Sequence, residues 1–225
     1  MKTAAIIPIK TNNQRLPGKN TKILADKPLY QYLFETVKKC RYLDEIYIDS
    51  SDKTILELAK RWEFKTIKRD ASLNSPETSG YDLINNELRY INDVDIICQL
   101  FVTLPFLRSQ TIDSAISLLK VNKSFDSILA LYEMQDRFWY RKGNDLIRPV
   151  NHNPNELMGT QYMNPVYRES GFYVFRREAY MDERRRVTRS FIEMLVDPNE
   201  CVDIDTYEDF MFAEMMIGRE KSVHT

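Results

Sequence analysis

The sequence predicts an α/β fold with a doubly wound, mostly parallel, Rossmann-like sheet. Through the first two thirds of the chain, short segments rich in β-branched residues alternate with segments of helical periodicity. The segment 94–99 is almost continuously apolar, which is typical of a strand covered on both faces. A chain of 225 residues with 43% hydrophobic residues can build one sizeable core, so we expect a single domain over 1–225.

The expected elements follow from periodicity and from signals at their ends. Leu29, Tyr32 and Leu33 recur at helical spacing and indicate the first helix, and the polar stretch 49–52 can cap the second. The expected strands are 4–9, 45–48, 64–67, 94–99, 127–131 and 171–175. The expected helices are 29–39, 53–61, 81–90, 111–119 and 207–216.

The segment 133–168 interrupts this alternation. It mixes aromatic and polar residues with three prolines and shows no clean period, so we expect an inserted arm. Its aromatic residues are either core residues or the contact surface of a homodimer: Phe138, Trp139, Tyr140, Tyr162 and Tyr167. The only histidine in the middle of the chain, His152, lies in this segment and is interpreted as incidental.

Charge and cysteine content exclude several classes of protein. The 32 basic and 33 acidic residues give a net charge of -1, which does not favour binding to nucleic acid or to a membrane surface. No segment approaches the roughly 20 apolar residues that span a bilayer, and the N-terminal apolar run is too short for a signal peptide. The three cysteines form no CxxC pair, and Cys98 is expected in the core. We expect a cytoplasmic protein, with the run 184–186 of three arginines as a solvated surface.

The loop after the first expected strand carries three cations, Lys10, Arg15 and Lys19, among small amide side chains. Ligands of doubly wound sheets bind beyond the carboxyl ends of the strands, where this loop lies. Fixed cations and free backbone N–H groups are what a triphosphate requires. The spacing of a P-loop is absent, and a basic surface loop is about equally compatible with these residues.

Near the C-terminus, Asp203 and Asp205 alternate along an extended segment before the last expected helix. Alternate residues of a strand face the same side, so the two carboxylates can share a hard cation such as Mg²⁺. The alternative is that Asp205 only caps the helix while Asp203 is solvated.

Both motifs together resemble those of the CTP-dependent cytidylyltransferases that activate 3-deoxy-2-keto sugar acids. The first loop is similar to the family pattern I-P-A-R-x-x-S-K-R-L-P-x-K-N, with matches at Ile7, Pro8, Arg15, Leu16, Pro17, Lys19 and Asn20. Lys10 stands where the family has a phosphate-binding Arg, and Asn13-Gln14 replaces Ser-Lys. The C-terminal motif V-D-I-D-T-x-x-D-[FL] is matched from Val202 to Phe210.

Three further segments resemble the family less closely, around Arg69, after Gln99 and at Arg168. Gln99 precedes the expected Thr by four residues where two is common. The Arg expected about eight residues before Arg168 is replaced by Thr160 or Gln161. The resemblance implies catalytic roles for Lys10, Arg15, Lys19 and Asp205; nucleotide binding by Pro8, Ile9, Lys10, Asn12, Asn20, Arg69, Ser79 and Gln99; acceptor binding by Thr103, Arg168 and Tyr173; and metal binding by Asp203 and Asp205.

The resemblance also implies the nucleotidyltransferase variant of the fold and an Mg²⁺-dependent transfer of CMP from CTP to an acidic sugar, with 133–168 as an acceptor-side and dimerisation segment. A phosphonate acceptor and a catalytically silent nucleotide-binding homologue are the alternatives. Nucleotidyltransferases that use UTP or GTP usually begin with a Gly-rich loop, and only Gly18 is present here. No His-based acid–base pair or nucleophilic triad is visible, so the general base is either Asp205 or a metal-bound hydroxide.

Overall fold

The computed structural model describes residues 1–10, 13–75 and 77–223. Its strands are β1 Thr3–Pro8, β2 Ile23–Leu24, β3 Lys27–Pro28, β4 Glu45–Ser50, β5 Lys65–Lys68, β6 Ile96–Gln99, β7 Ser127–Met134, β8 Trp139–Tyr140, β9 Arg148–Pro149, β10 Val166–Glu169, β11 Tyr173–Arg176 and β12 Phe191–Leu195. Its α-helices are α1 Leu29–Lys38, α2 Lys53–Arg61, α3 Gly80–Glu87, α4 Ser109–Val121, α5 Arg177–Glu183 and α6 Tyr207–Val223.

The central sheet has eight strands, and most of its pairs are parallel. Along one path the order is β10-β7-β11-β6-β1-β4-β5, and β12 pairs with β7. The pairs β6-β1, β1-β4, β4-β5 and β7-β12 are parallel, whereas β10 and β11 run antiparallel to β7. The predicted mostly parallel α/β fold is therefore confirmed.

Helices cover both faces of the sheet. On β1, Ala5 and Ile7 pack in a cluster with α1, α2 and α4, whereas Ala4 and Ile6 pack in a second cluster with α3 and α5. This alternation is the period-two pattern of a strand buried on both sides. Cys98 on β6 is fully buried, as predicted. The last helix, α6, packs in a third cluster against the segment that contains Leu16 and Leu24.

Besides the two-residue strands β2, β3, β8 and β9, three longer elements were missing from the sequence prediction: β10, β12 and α5. The side chains of β10 and β12 are mostly exposed or half-buried, so they lack the apolar run that marks a central strand. The helix α5 has only seven residues and one fully buried side chain, Tyr180, which is too few to show a helical period.

The segment between β7 and β10 leaves the sheet and forms a small ladder of its own from β8 and β9. Trp139, Tyr140 and Tyr162 are 47%, 55% and 74% exposed, so these rings are not part of the core of the chain. His152 lies edge-on to the ring of Trp139, with the ring centroids 5.0 Å apart. Within the described residues, no helix has the length and apolar character needed to cross a bilayer.

Candidate active site

Lys19 joins the two ends of the chain at the carboxyl edge of the sheet. Its side chain is buried, and its Nζ donates to the Ile204 carbonyl at 2.8 Å and to Asp205 Oδ1 at 2.8 Å, across 185 and 186 residues of sequence. The turn before Lys19 depends on Gly18, whose φ of 66° lies in the left-handed region that favours glycine. The cation-rich loop and the Asp203-Asp205 motif, predicted separately, are therefore in direct contact.

Asp205 is held by two cations and does not cap α6. Arg15 Nη2 lies 2.7 Å from Asp205 Oδ2, while Lys19 contacts the other oxygen. Thr206 and Asp209 perform the capping, because Asp209 accepts the Thr206 N–H at 2.8 Å and the Thr206 hydroxyl accepts the Asp209 N–H at 3.3 Å. The interpretation of Asp205 as a helix cap is wrong, and its carboxylate faces the loop.

Asp203 is half-buried, like Asp205, and lines the same cavity. Burial raises the pKa of Asp203; a hydrogen bond from Thr103 and the charge of Lys19 oppose this rise, and Asp205 adds to it. Its Oδ1 atom is buried without a hydrogen-bond partner among the described residues. The described residues contain no group of three His, Cys, Asp or Glu side chains arranged for a metal.

Two adjoining cavities meet at Lys10, Lys19 and Asp205. The loop cavity, of about 250 Å³, is lined by the cation-rich loop together with Asn74 and Ser75. The sheet cavity, of about 340 Å³, has an apolar wall and a charged floor. Its lining includes Pro8, Lys10, Asn20, Leu83, Phe101, Thr103, Tyr173, Arg186, Asp203 and Asp205. One cavity is suited to phosphates and the other to a compact polar molecule.

Asn20 fixes the backbone of the first loop. Its Nδ2 donates to the Lys10 carbonyl at 2.6 Å, and its Oδ1 is buried without a partner among the described residues. Burial and the nearby Arg69 lower the pKa of Lys10. The backbone N–H of Ile9 donates to Asp49, and the Ile9 side chain is buried in the core, so it supports the loop from below.

Arg69 lies behind the cavities and lines neither of them. Its Nη2 and Nε donate to Asp49 Oδ2 at 2.6 and 2.9 Å, and both side chains are fully buried. Glu87 of α3 packs against the same pair with its side chain fully buried. Burial, and then Asp49, raise the pKa of Glu87 well above its ordinary value. Arg69 was predicted to contact the nucleotide, but its side chain is fully buried and offers no exposed group to a ligand in either cavity.

The other predicted residues are distributed unevenly around the site. Ser79 is an exposed N-cap of α3 and is paired with Asp82. Gln99 is buried beneath the sheet cavity, and Arg168 is exposed, donating to the Tyr132 hydroxyl at 2.9 Å outside both cavities. Asn12 lies outside the described residues. The structure therefore brings Thr103 and Tyr173 to the sheet cavity, but not Ser79 or Arg168.

Arg186 enters the sheet cavity, so the expectation of a fully solvated surface for 184–186 is wrong for its third residue. The guanidinium of Arg186 stacks on the Tyr173 ring at 3.8 Å and donates from Nη1 to Gln99 Oε1 at 3.0 Å. Nothing in the run of three arginines distinguishes the third from the others. A prediction of β12 would have placed Arg186 shortly before a strand of the central sheet, but the sequence prediction lacked this strand.

Comparison with known proteins agrees with this architecture. The chain is 25% identical over 225 residues to the pseudaminic acid cytidylyltransferase of Campylobacter jejuni, covering 96% of each chain. It is 26% identical to the CMP-N,N'-diacetyllegionaminic acid synthase of Legionella pneumophila, covering 96% of this chain and 97% of that one. It is 24% identical to N-acylneuraminate cytidylyltransferase A of Danio rerio, of whose length it spans about half, 51%.

Solved structures show the same fold. The CMP:2-keto-3-deoxy-manno-octonic acid synthetase, complexed with CTP, superposes with a TM-score of 0.73 at 14% identity, over 98% of this chain and 100% of that one. The 4-diphosphocytidyl-2C-methyl-D-erythritol synthase of Anaerococcus prevotii gives a TM-score of 0.69 at 14% identity, over 96% of both chains. The family model described as Cytidylyltransferase matches residues 4–220, so this chain belongs to the cytidylyltransferase family.

Proposed function

We propose that the protein transfers CMP from CTP to a small acidic sugar of the 2-keto-3-deoxy type and releases pyrophosphate. The observation that carries the proposal is the contact of Lys19 and Arg15 with Asp205, because it joins two cations of the first loop to a carboxylate of the C-terminal motif. The relatives named above act on acidic sugars according to their names, which supports this acceptor class.

The cations of the loop are suited to bind the triphosphate. Lys10, Arg15 and Lys19 all line the loop cavity, where their charges can neutralise several phosphate oxygens. When a triphosphate binds, Arg15 and Lys19 exchange part of their contact with Asp205 for phosphate oxygens. This exchange frees the Asp205 carboxylate when the triphosphate binds. In the free protein, the ion pairs keep Arg15 and Lys19 next to Asp205.

The carboxylates fit Mg²⁺. Asp203 has a buried, unpartnered Oδ1, and Asp205 is its neighbour, so each offers an oxygen of the kind that Mg²⁺ prefers. We propose that these two residues hold the ion together with phosphate oxygens and water. Bound there, Mg²⁺ supplies positive charge to the triphosphate.

The reaction needs positioning more than covalent chemistry by the protein. A hydroxyl oxygen of the acceptor attacks the α-phosphorus, the bond from that phosphorus to the bridging oxygen breaks, and pyrophosphate leaves with the bonding electrons. The hydroxyl proton passes to Asp205 or to water. In this proposal the acceptor binds in the sheet cavity, which Thr103 lines, and Asn20 holds the Lys10 backbone in position for the nucleotide.

Pyrophosphate release tests the proposal. The protein is assayed with Mg²⁺ and each of CTP, UTP, GTP and ATP against N-acetylneuraminate, pseudaminate, N,N'-diacetyllegionaminate, 3-deoxy-manno-octulosonate and a set of small phosphonates. We expect pyrophosphate release only when CTP is the nucleotide and one of the sugar acids is the acceptor. Release only with a phosphonate would replace the acceptor class, and CTP binding without any release would indicate a silent homologue. Absence of CTP binding by calorimetry would overturn the proposal.

We also propose that the protein is a homodimer that pairs through the segment 133–168. Besides the exposed rings, Leu146 and Leu157 are 85% and 105% exposed, an apolar content that is costly in water and common at the core of interfaces. Sedimentation equilibrium measures the state directly. A monomer at micromolar concentration would contradict this part of the proposal.

A further inference from the structure

Arg186 is a fixed cation on the wall of the sheet cavity. Its guanidinium is stacked 3.8 Å from the centroid of Tyr173 and 5.8 Å from that of Tyr81, and it is anchored by one hydrogen bond to the buried Gln99. Tyr173 is itself held by its hydroxyl, which donates to Glu169 at 2.7 Å. Stacking and anchoring together restrict the side chain to one orientation, so little rotational freedom remains to be lost on binding.

The charge of Arg186 has no carboxylate partner. Among the residues that the structure describes, no Asp or Glu oxygen forms an ion pair with it. Glu87 is near enough to interact, but burial, and then Asp49, raise the pKa of its carboxyl well above its ordinary value, which favours the neutral form. Nε and Nη2 of Arg186 donate to no described residue, which leaves donors of the planar guanidinium available.

The position of Arg186 relative to the phosphate site fits an acceptor. Arg186, Thr103, Asp203 and Asp205 line one cavity, while Lys10 and Lys19 connect that cavity to the loop cavity. A molecule that fills the sheet cavity therefore borders both the proposed phosphate site and the guanidinium. Arg168, the residue predicted for the acid group of the acceptor, is exposed and lies outside the cavity.

We propose that Arg186 binds the acid group of the acceptor, a carboxylate or a phosphonate, and so makes the site specific for acidic acceptors. The inference rests on the proposed cytidylyl transfer. Arginine suits this role because its donors form a planar fork that matches two oxygens of a carboxylate or phosphonate. Its ring stacking keeps the fork turned into the cavity.

The test compares Arg186→Met with Arg185→Met. Both variants remove one arginine charge from the same run, but Arg185 is exposed, lies near Glu183 and lines neither cavity. We expect Arg186→Met to raise the KM for the sugar acid roughly 10- to 100-fold, because a hydrogen bond to a charged group is lost, with the KM for CTP changed less than about threefold. Arg185→Met should keep both constants, and Arg186→Lys should recover part of the loss.

A second arm changes the acceptor instead of the protein. For the wild-type protein, the methyl ester of the sugar acid that is used should bind about as weakly as the acid binds to Arg186→Met. For the Arg186→Met variant, esterification should raise the acceptor KM little further, since the partner of the carboxylate is already gone. If Arg186→Met does not fold, Arg186→Lys supplies the same comparison, because a lysine keeps the charge but loses the planar fork and should therefore reduce the effect of esterification.

The outcomes separate the two proposals. The role of Arg186 would be overturned if wild type and Arg186→Met had the same KM for the acceptor. It would also be overturned if esterification raised that KM equally in both. Neither outcome would contradict cytidylyl transfer. A parallel rise in the KM for CTP would assign Arg186 to the nucleotide and also overturn it. Absence of pyrophosphate release from the wild-type protein with every acid, phosphonate and nucleotide would instead remove the proposed function, and the inference with it.

Discussion

Two clusters of charged side chains lie at the carboxyl edge of the sheet, and each is built around one aspartate. Asp49 pairs with Arg69 next to Glu87, and the side chains of both partners of this ion pair are fully buried. Asp205 pairs with Lys19 and Arg15, and its side chain is 33% exposed while that of Arg15 is 66% exposed. The first is called the buried cluster and the second the open cluster.

The difference lies in what can replace each contact. In the buried cluster no water reaches the guanidinium, so loss of one partner leaves an uncompensated charge in a medium of low dielectric constant. In the open cluster, water and phosphate oxygens can replace Arg15, and the free energy of its ion pair with Asp205 is correspondingly small, whereas Lys19 is buried and also donates to the Ile204 carbonyl. Similar residue types therefore support the fold in one place and are available to bind a ligand in the other.

The largest expected effect is on the stability of the buried cluster. Arg69→Met leaves Asp49 without its cation, and we expect the free energy of unfolding to fall by about 3–5 kcal/mol. Urea unfolding at pH 7 measures the change, with the exposed neighbour Lys68→Met as the control. Adding Asp49→Asn should recover part of the loss, since no buried charge is then unpaired. A loss below about 1 kcal/mol for the single variant would contradict the structural role.

The open cluster should show the opposite pattern, a large effect on activity and a small one on stability. Asp205→Asn removes the carboxylate between the cations, and we expect turnover to fall roughly 100- to 1000-fold at saturating CTP and Mg²⁺, as when one charge-stabilising group is deleted. Unfolding in urea should change less than in Arg69→Met, because Asp205 is partly exposed and the amide oxygen of Asn can still accept from the buried Lys19. Glu208→Gln, at an exposed acid nearby, is the control. Wild-type turnover in Asp205→Asn would refute the assignment.

The smallest effect, when taken for each unit of pH, concerns the dependence of stability on pH in the buried cluster. The pKa of Glu87 is raised in the folded protein, by burial first and by Asp49, while Arg69 and Arg186 oppose the rise. Above the pKa of the unfolded chain, folded Glu87 keeps a proton that the unfolded chain loses, so wild-type stability falls as pH rises toward the folded pKa. Glu87→Gln retains a hydrogen-bond donor without a titrating proton.

We therefore expect the free energy of unfolding of Glu87→Gln to equal that of the wild type near pH 4.5 and to exceed it at higher pH, with the difference growing by up to about 1.4 kcal/mol for each pH unit. Urea unfolding at pH 5, 6, 7 and 8 measures the gap. A gap that is constant with pH would show that Glu87 titrates alike in both states.

Much of the fold was predictable because its signals are local. The segment 94–99 shows in its own composition that both faces are covered, and Asp52 caps α2 with its own side chain, accepting the Thr54 N–H at 2.7 Å. Missed elements such as β10, β12 and α5 depend on neighbours rather than on their own residues. A strand with half-exposed side chains is recognised only by the strand beside it, here β7.

The candidate site divides in the same way. The spacing of Asp203 and Asp205 in an extended segment by itself determined that both carboxylates face one side, and the three cations of the first loop were evident from residue type. Only the tertiary structure decided that Lys19 reaches Asp205, that Arg69 is enclosed against Asp49 and that Arg186 enters the sheet cavity. A periodic pattern records which way a side chain points along its own element. Burial and pairing are set by residues far away in the chain, and no local pattern contains them.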